Sequence, residues 1–235
     1  MYDPSLFLQT LSRFAVILPA RYDLPEALSE LTESVTAVLD LCGSWVTMAD
    51  EEQLRFVTSV SQASAELERD HALLHPFACP CRVAYSTGEV VRVTDVRLES
   101  TRWPEFSASA TRLSIAGVAA VPMRLADQVI GALNLYSPDP RAWSDEDIAV
   151  ARVLADMATS YVVNASKLRQ QEQLSEQLQE ALESRVVIEQ AKGITAHQHS
   201  LTVEQAYQRM RRHARNNNAS LRIVAEAIVA VGLQV

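Results

Sequence analysis

The chain has 235 residues, of which 48% are hydrophobic and 21% charged, with 6 Gly and 9 Pro. That is enough apolar material for a sizeable core or more than one domain, which excludes disordered and fibrous classes. The net charge of −8 argues at first against a nucleic-acid partner, and three cysteines are too few and too odd a set for a disulfide framework, which points to the cytoplasm.

In chain order, the apolar run at 5–18 is interrupted by Gln9, Thr10, Ser12 and Arg13, so neither a membrane span nor a signal peptide is expected there. Pro25 opens a helix whose apolar positions Leu28, Leu31, Val35, Val38 and Leu39 recur at three and four, with a stop at Gly43. Residues 44–48 and 54–59 alternate or run apolar on either side of Asp50-Glu51-Glu52 and predict a β-hairpin. Val90, Val91 and Val93 follow Gly88 as a third strand, and 116–125 and 129–136 make two more around Ala126-Asp127-Gln128. Five strands with flanking helices predict an α+β fold around a mostly antiparallel sheet.

From Ser144 the period changes. Ser144 with Asp147 resembles a capping box, and Ile148, Ala151, Leu154, Ala158, Tyr161, Ala165 and Leu168 form one helical stripe. The acids Asp145-Glu146-Asp147 fit the positive end of a helix dipole better than a catalytic cluster. No Gly or Pro occurs from 144 to 192, and Leu174, Leu178, Ala181 and Ile188 continue the stripe through a Gln/Glu-rich stretch, predicting a helical or coiled-coil linker that pairs two copies of the chain. After Gly193 short helices are expected. Val203, Ala206, Tyr207, Met210 and Ala214 form one stripe and Leu221, Val224, Ala225, Ile228 and Val229 another, separated by Asn216-Asn217-Asn218. None of these helices is stable alone, so the tail reads as a three-helix bundle.

Splitting the charge along the chain reverses the first impression. Residues 184–235 hold seven Lys and Arg against three Glu, so an acidic body carries a basic tail. Gln208, Arg211, Arg212 and Arg215 fall three and four apart opposite the apolar stripe, and Arg185, Gln190 and Lys192 lie on the preceding segment. Always-charged planar forks on one face suit phosphates and base edges, and a solvated basic face is the bland alternative.

His71, His75, Cys79 and Cys81 have a spacing that could gather metal ligands, although Cys-Pro-Cys is an uncommon zinc element, and packing thiols near surface histidines explain them as well. A Cys79–Cys81 bridge is disfavoured, because two extended residues span about 6.6 Å, near the limit of disulfide geometry. No nucleophile elbow, phosphate loop, zincin motif or dinucleotide turn occurs, so no enzyme activity is expected.

The segment Ser184-Arg-Val-Val-Ile-Glu-Gln-Ala-Lys-Gly-Ile194, followed by Ala206, Tyr207, Met210, Arg211, Arg212, His213, Ala214, Leu221, Val224 and Ala225, resembles the ANTAR domain, a three-helix RNA-binding module of bacterial antitermination regulators. The first 165 residues resemble a GAF sensory domain. The carrying stretches include Pro80-Cys81, Thr87-Gly-Glu-Val-Val-Arg-Val93, Arg102-Trp-Pro-Glu-Phe106 and Ile130-Gly-Ala-Leu-Asn-Leu-Tyr136. Where relatives of the tail continue with Leu-Met and a later Gly, this chain has Thr195-Ala196 and Ser200, and it has His75-Pro-Phe-Ala-Cys79 where GAF relatives often have Gly-Glu-Gly before Pro-Cys.

The resemblance implies a sensor at 1–165, a linker at 166–183 and an RNA-binding domain at 184–235. It implies binding of paired stem-loops in nascent transcripts, in the context of RNA polymerase, so that a terminator cannot form. The RNA-contacting candidates are Arg185, Gln190, Lys192, Gly193, Gln208, Arg211, Arg212, Arg215, Asn216 and Arg222. A small-molecule pocket would draw on Phe77, Cys81, Trp103, Phe106 and Tyr136, with the ligand or cofactor unnamed, and the homodimer seam on Leu174, Leu178 and Ala181. The competing readings are a thiol redox enzyme or sensor using Cys42, Cys79 and Cys81, as in GAF-type reductases of free methionine sulfoxide, and a DNA-binding regulator.

Overall fold

A computed structural model describes residues 2–20, 22–50, 53–59 and 79–235. The chain divides into two units, Met1–Ser166 and Lys167–Val235.

Helix α1 (Pro4–Ile17) accounts for the apolar run near the N-terminus, which had no assigned element. Asp3 caps it, its Oδ1 accepting from the backbone of Ser5 at 2.9 Å and Leu6 at 3.0 Å, and Phe14 and Thr10 face inward. Helix α2 (Leu24–Val38) follows its expected stripe, with Asp23 as cap, Pro25 in the first turn and Leu28, Leu31, Val35 and Val38 fully buried. It ends before Gly43, because Asp40 turns the chain with φ 50°.

The five strands β1 (Gly43–Asp50), β2 (Gln53–Ser59), β3 (Val91–Val93), β4 (Gly117–Leu125) and β5 (Gln128–Ser137) form one antiparallel sheet in the order β2-β1-β5-β4-β3. Residues 51 and 52 of the predicted hairpin turn lie outside the described residues. Pro122 is tolerated in β4 because β3 pairs only with Val118–Ala120, leaving its missing N–H beyond that ladder. Gly131 is required where β5 crosses β1, since a Cβ there would overlap the Thr47 carbonyl.

Alternation assigns the two faces of the sheet. Val46, Ala119, Val121, Met123, Leu133 and Leu135 pack with α1, α2 and the Ile148–Tyr161 part of the long helix α5 (Asp145–His199). Trp45, Val93, Val118 and Tyr136 lie on the other face, with residues from α3 (Pro80–Thr87), the 3₁₀ turn Val96–Glu99 and α4 (Pro104–Arg112). These short helices carry too few turns to show a period, and both start at a proline, the residue whose fixed φ suits a first helical turn.

Pro80 also decides the cysteine geometry. Cys79 is extended (φ −152°, ψ 159°), but Cys81 already lies in the first turn of α3, so their Cα atoms are 5.5 Å apart and the two are joined as a disulfide. The expectation against this bridge assumed an extended Cys81 and is corrected.

Helix α5 begins as expected, with Ser144 Oγ accepting from the Asp147 N–H at 3.0 Å. It contains an 18-residue window of mean hydropathy 1.2, long and apolar enough to cross a membrane by length and composition. The sequence reading had no such span. Ile148, Ala151, Leu154, Ala158 and Tyr161, however, are at most 2% exposed within the sheet domain's core.

In the second unit, α5 runs through Gly193 to His199, so the first helix of the bundle is the end of a 55-residue helix rather than a short segment closing at Gly193. One helical glycine costs only about 1 kcal/mol. The stop comes at Ser200, whose φ is +52°, after which Thr202 and Gln205 form a capping box on α6 (Val203–Asn216). Ser220 caps α7 (Leu221–Val231), and Gly232 closes it with φ +68°. Ala191, Met210, Ala214, Val224, Ala225 and Ile228 form the bundle core.

Candidate nucleic-acid interface

Helix α6 buries Ala206, Met210 and Ala214, which leaves the residues between them outside. Gln208, Arg211, Arg212, Arg215 and Asn216 are all exposed, as are Arg185, Gln190 and Gly193 on α5. Arg211, Arg212 and Arg215 have no carboxylate partner among the described residues, and Arg215 Nε donates to the Arg211 carbonyl at 3.4 Å. The Gln208 amide donates to Glu204 at 2.8 Å.

Two of the candidate cations differ from this group. Lys192 is largely buried, its side chain 15% exposed and paired with Glu189 at 2.9 Å. Arg222 pairs with Glu226 at 2.8 Å, and that bond, the Glu226 charge and the charges of Glu180 and Glu183 raise its pKa further. It lines an open groove with Leu182, Glu183, Val186 and Glu226, where carboxylates already answer its charge.

The sequence reading put Tyr207 on the apolar stripe. The structure leaves it half-buried, outside the bundle core, with Lys192 Nζ 5.3 Å and Arg211 Cζ 5.8 Å from its ring centre. The aromatic ring thus joins a cation of α5 to one of α6. The seam candidates Leu174 and Leu178 are each 57% exposed, and Ala181, Leu182 and Val186 are exposed with them.

In the sensor unit, Trp103, Phe106 and Tyr136 come together in one buried cluster with Cys81 packed against it, whereas Phe77 lies outside the described residues. Trp45 stacks on Tyr136 with ring centres 4.1 Å apart. Sequence reasoning missed Trp45 and its cross-strand partner Asn134, both on the Tyr136 face of the sheet. Trp45 is 1% and Asn134 0% exposed, yet the Trp45 Nε1 donor and the Asn134 Oδ1 acceptor have no hydrogen-bond partner among the described residues. Such orphans are costly in a folded core unless something pairs with them. Of the proposed metal ligands, His71 and His75 lie outside the described residues and the two cysteines are bonded to each other, and no group of three or more metal-ligating side chains occurs among the described residues.

A family model described as GAF domain matches residues 23–162, and one described as ANTAR domain matches residues 176–229. The chain belongs to the GAF family and carries an ANTAR domain. As a GAF–ANTAR regulator it combines a sensor domain type with an RNA-binding domain type. None of the curated proteins matches it.

Solved structures similar to this GAF–ANTAR regulator include the GAF domain of a phosphoenolpyruvate-protein phosphotransferase from Acinetobacter (14% identity, TM-score 0.56, 72% of this chain and 99% of that one). Its counterpart from Coxiella burnetii has 14% identity and TM-score 0.56 over 70% of this chain and 96% of that one. A free methionine-R-sulfoxide reductase from Neisseria meningitidis in complex with its substrate has 14% identity and TM-score 0.52 over 72% and 96%. At these identities the likeness is one of fold. The remaining cysteine, Cys42, donates its thiol to the Tyr136 carbonyl at 3.2 Å, and burial pushes its pKa up, the opposite of an activated thiolate.

Proposed function

We propose that this GAF–ANTAR regulator binds paired stem-loops in nascent transcripts beside RNA polymerase in the cytoplasm and prevents terminator formation, as a homodimer seamed along Leu174, Leu178 and Ala181. The observation that carries this reading is the exposed group Arg211, Arg212 and Arg215, free of carboxylates among the described residues, on a chain whose overall net charge is −8. A solvated face in an acidic protein gains stability from ion pairs; three unanswered guanidinium groups on one helix instead favour an anionic partner. The Trp45 donor and Asn134 acceptor, unpaired among the described residues, support a polar small-molecule ligand in the GAF domain, one that offers both an acceptor and a donor. We read the protein as non-enzymatic: Cys79 and Cys81 are bonded and the Cys42 thiol is not activated.

The test is titration of the full chain with a labelled RNA hairpin over a range of salt. Replacing Arg211, Arg212 and Arg215 together by Ala is expected to leave the helical circular-dichroism melt unchanged, weaken binding at least about tenfold and flatten the slope of log affinity against log salt by about two to three. Unchanged binding means the face is only solvated. Tighter binding to duplex DNA of equal charge supports the DNA-binding reading, and thiol-dependent turnover of free methionine sulfoxide supports the reductase reading.

A further inference from the structure

We infer that Tyr207, together with Arg211, forms a stacking platform for one unpaired base of a hairpin loop, so that the ANTAR domain reads the loop as well as the backbone. This rests on the RNA-binding reading and adds to it a specific contact that the basic face alone does not supply.

Tyr207 takes no part in the bundle core. Residues 167–235 contain no Trp or Phe and no other Tyr. An amphipathic helix would normally spend its one aromatic ring on the core, where burial of such a ring contributes most. Here the core is closed by Ala191, Met210, Ala214, Val224, Ala225 and Ile228, and Tyr207 is not among the residues packed against it. Its phenol has no hydrogen-bond partner among the described residues, so no polar anchor explains its position either.

Two cations lie close to the ring instead. Lys192 and Arg211 both lie within 6 Å of its centre, a distance at which cations are attracted to the ring face. Lys192 is itself fixed by Glu189 at 2.9 Å, so the ring meets a cation held in place by α5. Arg211 stands on the exposed side, one turn of α6 further on, beside Arg212. A tyrosine ring and a planar guanidinium are the two protein surfaces on which splayed-out RNA bases stack, and phosphates on either side of such a base would meet Arg212 and Arg215. Stacking tolerates any base because each has a π-face, so this contact distinguishes an open loop from a closed duplex rather than one sequence from another.

The experiment compares two RNA hairpins of identical stem, one with a loop of randomised bases and one with an abasic loop of equal length, bound to the full chain at low salt. Phosphate contacts are the same in both. The wild-type protein is expected to prefer the base-bearing loop by about tenfold. Tyr207→Leu should bring that preference close to one while leaving affinity for the abasic hairpin and the salt slope unchanged, and Tyr207→Phe should keep it, since the ring face and not the phenol makes the contact. A second measurement uses the wild-type protein alone: ultraviolet crosslinking of a bromouridine-substituted loop, mapped by mass spectrometry, should place the adduct on the peptide holding Tyr207 and Arg211. Equal wild-type affinity for the two hairpins, a full preference retained by Tyr207→Leu, or an adduct elsewhere overturns the stacking platform while leaving hairpin binding in place. Failure of the wild-type protein to bind either hairpin overturns both readings.

Discussion

The two units are held together by different means. The sheet domain is covered on both faces and buries large side chains, among them Trp45, Phe14, Tyr136 and Tyr161, with tyrosine hydroxyls spent on backbone carbonyls: Tyr161 donates to Phe14 at 2.7 Å and Tyr22 to Tyr161 at 2.8 Å. The C-terminal unit closes a small core of Ala, Val, Met and Ile and leaves Leu174, Leu178, Leu182 and Val186 between 56% and 60% exposed. A domain with a large two-sided core can devote part of that interior to a ligand. One with a small core and a row of exposed leucines has apolar and charged surface available for partners.

The sharpest way to break this contrast is at the exposed leucines. Replacing Leu174 and Leu178 together by Glu costs little folding stability, since both side chains already face solvent, but places like charges on the proposed seam. Sedimentation is expected to shift from dimer to monomer, with the ratio of paired-hairpin to single-hairpin affinity falling at least about tenfold as effective concentration is lost. A double variant that stays dimeric removes the seam.

In the sheet domain the buried tyrosine is the corresponding probe. Tyr161→Phe should cost about 1 kcal/mol through the lost bond to the Phe14 carbonyl. Burial, then the neighbouring Tyr22 and Glu30, push the Tyr161 pKa from 10.0 to about 12. The folded state therefore holds a proton that the unfolded chain releases, and this contribution is complete below pH 10 and lost as pH rises toward about 12. Urea midpoints of wild type and Tyr161→Phe should converge over that window. A constant gap would place the tyrosine in water.

The smallest expected effects are stabilising and lie in the C-terminal unit. Thr195 is 1% exposed and its hydroxyl has no hydrogen-bond partner among the described residues, so Thr195→Val, which keeps the shape and removes the orphan, should gain about 1 kcal/mol. Ser200 stands in the left-handed region that glycine occupies without strain, and Ser200→Gly should gain about 0.5 kcal/mol. Both are read as rises in the melting temperature of the helical signal. A fall in either would mean that the residue is satisfied by a contact other than those seen.

The amino-acid sequence by itself determined the long periodic elements. The α2 stripe, the five strands, the start of α5 and the two tail stripes follow from spacings that only one period fits, and the basic face of α6 follows from the same arithmetic, because whatever lies opposite a buried stripe is exposed. Tertiary structure decided what spacing cannot encode. Helices α3 and α4 are too short to show a period and form because Pro80 and Pro104 start them against the sheet. The same proline brings Cys79 and Cys81 to bonding distance, and Gly193 stays inside a helix because packing of its neighbours outweighs a penalty of about 1 kcal/mol. Within the candidate interface, sequence could list Lys192, Arg211 and Arg222 as equivalent cations. Only the packing of α5, α6 and α7 separates them, pairing Lys192 with Glu189 and Arg222 with Glu226 while leaving Arg211 beside an aromatic ring the core does not use. Charge partners are set by three-dimensional neighbours, and composition counts them without pairing them.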